Sequence, residues 1–385
     1  MGILAVLFGP TMAQASTGCS DLAQSPPRES LSIELFHNLL DHQSRENVGF
    51  SPFSLETALT VLFEGAHGKT REQLGRALQV RDGCDLRRRS KPYGDRVIFQ
   101  SATSLWARPS ITFDQDFLTR VQGCCDAVVL PLSEVQPAKS INMWVAKRTE
   151  GKIQEIITTV ARETVVVLVN AAYLHAPWTI PFDKADTSDG DFVLASKKRK
   201  TVSMMTRIGV FDYIEADGFQ AVRVPYGNGS LVMDLLLSGE GTNLADFVHI
   251  LARISLGQSR YKHHSLVGRV TIPRFRIQSE ANLKQGLSGY GLGLLFDLHG
   301  ADFSRMMGTS GQIALDDVRH KIFIAVDEVG TEAAAATAVT IVGALPQPKV
   351  SFDFRLNRPF LLSIHDTTGG DILFLAAIQE PTSGN

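Results

Sequence analysis

The side chains able to do chemistry do not assemble into a catalytic pattern. No GxSxG elbow, HExxH pair, P-loop, GxGxxG or EF-hand spacing occurs along the 385 residues. Gly289-Tyr290-Gly291-Leu292-Gly293 only superficially matches a dinucleotide loop: it lacks the third glycine at the required spacing and a preceding strand, so it reads as a turn. His263-His264 could touch a metal, but two adjacent imidazoles with no carboxylate or cysteine partner in the sequence read as solvated. Ser304 and Ser310 have no evident base. Cys19, Cys84, Cys124 and Cys125 form no CxxC pair and no metal-ligand spacing, and if all four bridged, three pairings would be open. An enzyme is therefore the weaker class, and neither a cofactor nor a metal is expected.

A different stretch stands out. Asp327-Glu-Val-Gly-Thr-Glu is followed by Ala333, Ala334, Ala335, Ala336, Thr337 and a β-branched run that stops at Gly343, with no basic residue between Thr331 and Pro348. The alanines favour helix and the residues beyond them favour strand. A short helical turn followed by an edge strand would satisfy both. The sharper reading is a segment with two states, an exposed loop and later a buried strand. Extended, one face carries Thr331, Ala333, Ala335, Thr337, Val339 and Ile341, small or apolar and uncharged, with Glu332 on the other.

The elements that must position this segment read as a mixed α+β chain, helices first and then mostly strands. Helical periodicity covers Ser30–His42, Phe53–Glu64 behind Pro52, Lys69–Leu78, Asp114–Val121, Ser140–Ile157, Thr242–Arg253 and Asn282–Leu287. Strand patterns cover Val97–Trp106, residues 192–194, 201–205, 210–215, 220–226 and 230–237, Val267–Arg276, Ile313–Val318, His320–Asp327, Lys349–Phe354, Phe360–His365 and Ile372–Ile378. Val165–Leu174 is an almost unbroken apolar run, the mark of a strand covered on both faces. Asn170 is alone inside it, and its amide must be hydrogen-bonded or cost about 1–3 kcal/mol.

The composition, 44% hydrophobic and 20% charged, is that of a soluble globular chain, and no linker-like tract or short-period repeat divides it, so one large domain is expected. A net charge of −2 gives no reason to expect nucleic acid or an anionic membrane as partner, and no apolar run is long enough to span a bilayer. The basic clusters Arg87–Lys91 and Lys197–Lys200 read as solvated loops, the second at a hairpin tip, with a polyanion site as the lesser reading. Ile3–Phe8 followed by Ala13-Gln14-Ala15 has the form of a secretory signal ending at Ala15, although no basic residue precedes Arg28. A flexible segment over 16–27 and a single domain over 28–381 would follow.

Four separated blocks carry a family resemblance: Phe50-Ser51-Pro52-Phe53-Ser54; Val169-Asn170-Ala171-Ala172-Tyr173 with Trp178; Val318-Arg319-His320-Lys321; and Asp327–Thr337. With Asn357-Arg358-Pro359-Phe360 and Ile372-Leu373-Phe374-Leu375 they resemble a serpin across the whole chain from about residue 28. The resemblance implies three β-sheets, eight or nine helices and an exposed reactive loop over about 328–350. A target protease cuts that loop, which then enters the main sheet as a new strand while still acyl-linked to the protease. It also implies a hinge at Glu328, Gly330, Thr331, Glu332 and Ala333–Thr337. Ser51, Ser54, Asn170 and His320 would form a shutter under the parting strands. Trp178, Arg274 and Glu328 would form a breach at the top of the sheet. Where the family usually has Lys, Arg274 keeps the charge and offers a bidentate bond to Glu328.

Each inserted hydrogen bond would gain a net ~0.5–1.5 kcal/mol, and burial of Val339 and Ile341 about 1.5–3 kcal/mol each. Bulky, charged or proline residues on the entering face would block insertion, and this hinge has none, which favours an inhibitor over a carrier, chaperone or storage member. The family's loop length places the cut bond at Ala344–Leu345, with Val342 as a register alternative. Such a residue would leave the buried Asp of a trypsin-like pocket unpaired. The expected partner is an elastase-like or subtilisin-like serine protease, with a chymotrypsin-like one second and cysteine proteases still open. A secreted monomer is expected, in the periplasm or cell envelope if the source is bacterial.

Overall fold

A computed structural model describes residues 30–42, 46–80, 93, 96–259, 261–307, 313–331 and 349–382. In chain order the strands are β1 Val48–Phe50, β2 Ile98–Ala107, β3 Val128–Pro131, β4 Val166–Pro177, β5 Thr187–Val193, β6 Arg199–Ala216, β7 Phe219–Tyr226, β8 Leu231–Ser238, β9 His264–Pro273, β10 Phe275–Asn282, β11 Asp317–Val326, β12 Gly330–Thr331, β13 Phe352–Arg355, β14 Phe360–Asp366 and β15 Ile372–Ile378. Among the described residues there are eight α-helices, so the α+β class and its helix count are as expected. One sheet of six strands runs β10-β11-β12-β4-β2-β3. The other nine form one sheet, an eight-strand path β1-β15-β14-β8-β7-β6-β9-β13 with β5 off it, because the long β6 pairs with β5, β9 and β7 along successive parts of its length.

The apolar run is β4, which starts one residue after its pattern and ends three residues beyond it, at Pro177, and the reason for its two-sided hydrophobicity is visible. Val167, Val169, Ala171 and Tyr173 pack toward Ile141 and Val145 of the helix Pro137–Arg148. Ala172 and Leu174 point the other way, into a core shared with Leu362 and Phe374 of the nine-stranded sheet. Asn170 has the inward parity of Ala172.

Local chemistry sets several boundaries. Ser51 caps the helix Pro52–Gly65, its Oγ accepting from the Ser54 amide at 3.4 Å, with Pro52 at the first turn. Asp114 caps Gln115–Cys125 in the same way. The helix expected over Ser140–Ile157 ends at Arg148, because Glu150 and Gly151 adopt positive φ values of 51° and 78°. Beyond that break Asn142 holds the chain instead of a helical ladder: its Oδ1 accepts from the Ile156 and Ile157 amides at 2.9 and 3.2 Å. The expected strand Val267–Arg276 is two, β9 and β10, separated after Pro273, and β10 runs on to Asn282. Of the expected strands Ile313–Val318 and His320–Asp327, residues 313–316 form no strand, and the rest make the single β11, which ends at Val326.

Candidate functional site

The centre of the six-stranded sheet is half closed and half open. β4 and β11 pair in parallel from Val167–Asp317 to Tyr173–Phe323. Above that point they part, and β12 lies between them, Thr331 facing Val326 on one side and Ala176 on the other. The chain reaches this position by a tight turn. Asp327 N–H donates to the Gly330 carbonyl at 3.0 Å, and Asp327 Oδ1 accepts from the amides of Val329 and Gly330 at 2.8 and 3.2 Å. Gly330 is required there, since a Cβ would sit 2.2 Å from the Ala176 carbonyl oxygen and 2.6 Å from Pro177 Cα.

Under the closed half, Ser51, Ser54, Asn170 and His320 lie together, each fully buried. The Ser51 amide donates to His320 Nε2 at 3.0 Å. An amide can only donate, so Nε2 is the bare nitrogen and the proton sits on Nδ1, which donates to Asn170 Oδ1 at 2.7 Å. The same oxygen accepts from Ser54 Oγ at 2.9 Å, and Asn170 Nδ2 donates to Thr103 Oγ1 at 2.9 Å and the Ser54 carbonyl at 3.1 Å. Ser51 Oγ donates to the Leu373 carbonyl at 2.6 Å, tying the cluster to the nine-stranded sheet. Burial lowers the His320 imidazole to about 3, which keeps it neutral in this network.

Sequence reasoning missed two members of this cluster. Thr103 is paired across the ladder with Asn170, and Ser101 lies within 2.6 Å of Ser54 Oγ. Their signal was the polar i, i+2 pair on one face of a strand otherwise judged by its apolar residues.

At the open end, Glu328 is buried and its Oε1 takes every donor: Arg274 Nε at 2.7 Å, Arg274 Nη2, and Thr187 Oγ1 at 2.6 Å. Arg274 thus grips one oxygen with two nitrogens, not two oxygens in a fork, and Thr187 of β5 shares that oxygen. Burial pushes the Glu328 carboxyl up, but these bonds outweigh it and hold it below the ordinary range. Trp178 bonds the backbone on either side of Glu328. Its Nε1 donates to the Asp327 carbonyl at 2.9 Å and its amide to the Val329 carbonyl at 2.8 Å, so it clasps the turn.

Thr331 was expected in an exposed loop and is instead buried. Its Oγ1 lies 2.6 Å from the Tyr226 hydroxyl, and the Tyr226 ring stacks on Trp178 at 4.3 Å. Tyr226 was overlooked because it closes an apolar alternation, and nothing local marks its hydroxyl as a partner for a residue 105 positions on. The rest of the hinge (Glu332, Ala333, Ala334, Ala335, Ala336, Thr337) and the residues at the expected cut, Val342, Ala344 and Leu345, lie outside the described residues.

The whole of this arrangement falls within a match to the family model for serpins, serine protease inhibitors, which covers residues 27–381. The chain belongs to the serpin family. The serpin is 32% identical to an uncharacterized serpin-like protein of Thermococcus kodakarensis, over 92% of this chain and 85% of that one. It is also 32% identical to leukocyte elastase inhibitor A of Rattus norvegicus, over 91% of this chain and 97% of the relative. Among solved structures, the thermophilic serpin tengpin in its native state superposes with a TM-score of 0.81 at 26% identity, covering 91% of this chain and 92% of tengpin.

His263 departs from its expected place in solvent. It is partly buried, with Nε2 4.0 Å from the Asp234 carboxylate. Cys124 is disulfide-bonded and Cys125 is buried, while Cys19 and Cys84 lie outside the described residues. Among the described residues no helix is long and apolar enough to cross a membrane.

Proposed function

We propose that this serpin is a suicide-substrate inhibitor that traps a serine protease by inserting its cut loop between β4 and β11. The observation that carries this reading is the position of Gly330 and Thr331, which already occupy the first rungs of that gap. A strand entering below Thr331 must break the parallel β4–β11 ladder, and the Ser51–Ser54–Asn170–His320 cluster lies directly under it, with its bonds shared between the helix cap, β4 and β11. Parting the strands separates Asn170 from His320. The cluster therefore acts as the shutter, and the Trp178, Arg274 and Glu328 contacts act as the breach that holds the turn in place while the loop swings past it.

The target is an elastase-like or subtilisin-like protease, because Ala344 before Leu345, or Val342 in the alternative register, suits a small apolar pocket. Relatedness to leukocyte elastase inhibitors supports the same choice. Incubation with pancreatic elastase and with subtilisin should yield an SDS-resistant complex and a C-terminal fragment beginning near Leu345, read by mass spectrometry. Clean cleavage with no complex for either enzyme would favour a non-inhibitory serpin. Secretion is part of the proposal, supported by the Ala13-Gln14-Ala15 pattern and the bonded Cys124. Protein recovered from the medium should begin at Ser16.

A further inference from the structure

Asn228-Gly229-Ser230 is the only Asn-X-Ser or Asn-X-Thr triplet in the chain, and no proline stands at its middle position or after the serine. The fold places it at the tip of the hairpin between β7 and β8. Tyr226 and Leu231 form the last rung of that ladder, so all three residues lie in the turn. Positive φ values of 51° at Gly227 and 88° at Gly229 let the chain reverse, and the Gly229 amide donates to the Tyr226 carbonyl at 2.7 Å.

One side of this turn is held and the other is open. The Gly227 amide donates to the Pro177 carbonyl at 2.8 Å, and the Thr367 amide to the Ser230 carbonyl at 3.0 Å. A Cβ on Gly227 would come within 3.2 Å of Val97, whereas one on Gly229 would meet nothing within 4 Å. Asn228 is exposed. Its Oδ1 accepts from the Ser230 amide at 3.1 Å and the Ser230 hydroxyl at 2.8 Å, and that hydroxyl lies 3.3 Å from the Tyr93 carbonyl. Asn228 Nδ2 donates to no atom among the described residues. Other asparagines differ in this respect: Nδ2 of Asn47, Asn142 and Asn170 donates to the Glu380 carbonyl, the Ile157 carbonyl, and Thr103 with Ser54, respectively. A substituent on any of those nitrogens competes with a bond the fold uses, and at Asn228 it does not.

We propose that Asn228 is an acceptor for N-linked glycosylation, the donor being an oligosaccharide carried on a polyprenyl pyrophosphate. Nδ2 attacks the anomeric carbon of the first sugar. The carbon–nitrogen bond forms, the carbon–oxygen bond to the pyrophosphate breaks, the lipid pyrophosphate leaves, and one amide proton passes to a base of the transferase. The product keeps Oδ1, so both bonds from Ser230 survive. The bulky, solvated glycan leaves from the open side of the tip, while Tyr226, two residues earlier, keeps its buried contact with Thr331. This site rests on the secretion proposed above, because donor and transferase act on chains that enter the secretory route.

The full chain is expressed in a eukaryotic secretory host, once with its own residues 1–15 and once with a proven secretory leader in their place. Protein from the medium and from the lysate is treated with peptide N-glycosidase in heavy-oxygen water and mapped by mass spectrometry. Behind the proven leader, the wild type should lose the mass of one oligosaccharide and carry the heavy-oxygen tag at position 228. Asn228→Asp, which keeps Oδ1 and the turn, should show no such loss, and neither should Ser230→Ala. A wild type of unshifted mass behind the proven leader, or a shift that persists in either variant, overturns the proposal. A shift behind the proven leader alone would refute secretion by residues 1–15 and still support Asn228 as the acceptor. None of these outcomes bears on protease trapping, which uses other residues.

Discussion

The Tyr226 hydroxyl and the Thr331 hydroxyl lie 2.6 Å apart, both fully buried, at the point where β4 and β11 separate. Thr331 therefore sits in the sheet of the uncut chain as a polar residue with a polar partner, not as a loop residue awaiting burial. Tyr226→Phe leaves that hydroxyl short of its partner, and the intact form should lose about 1–2 kcal/mol. A lower unfolding midpoint, with faster exchange of the Thr331 amide, checks it. A double mutant with Thr331→Val should recover part of the loss.

Thr331→Arg tests the entry step. The residue lies between Val326 and Ala176, and an arginine there buries an unpaired charge at about 3–5 kcal/mol. The variant should be cut by the target protease without retaining it, so gels should show fragment in place of complex. Normal complex yield would break the link between this position and trapping.

Arg274 supplies two of the three donors on the buried Glu328 oxygen. Arg274→Met leaves that carboxylate with Thr187 alone and should destabilise the intact chain by about 3 kcal/mol. Arg274→Lys should restore part of it as a single donor. Glu328 is ionised below its ordinary range in the fold, so the wild-type contribution is present at neutral pH and is lost as acid protonates it. The Met variant should show less of that acid dependence.

His320 gives a second pH signature. Its imidazole titrates near 3 in the fold and near 6.5 when unfolded, so the unfolded chain binds the extra proton between those values. Stability is full above about pH 6.5 and should fall as pH drops through the window, by up to ~1.4 kcal/mol per pH unit. Denaturant midpoints across that range should follow this slope, and His320→Gln should flatten it.

Cleavage itself offers a readout of insertion. If the loop beyond Thr331 continues the strand that Gly330 begins, cut protein gains a full central strand at ~0.5–1.5 kcal/mol per hydrogen bond. Its unfolding midpoint should lie well above that of the intact form. An unchanged midpoint would separate cleavage from insertion.

How much of this was legible in residues alone depends on the range of the interaction. Asn170 announced itself, because a lone amide in an apolar run must find partners within its own burial. The Ser51-Pro52 helix start and the small, uncharged face from Thr331 were readable as local chemistry. The end of the helix at Arg148 was not, since it rests on Glu150 and Gly151 taking left-handed conformations and on Asn142 capping a loop below.

By itself the sequence determined the family, the α+β class, four residues of the buried cluster and the run of small, uncharged residues that alternates onward from Thr331. Only the tertiary structure decided that Thr331 is already a rung of the sheet, that Tyr226 is its partner, that Arg274 grips a single oxygen of Glu328, and that His263 is drawn in beside Asp234. Each of these is a contact between residues tens of positions apart in the chain. Their geometry depends on how the strands are stacked and staggered, which no local pattern of polarity encodes.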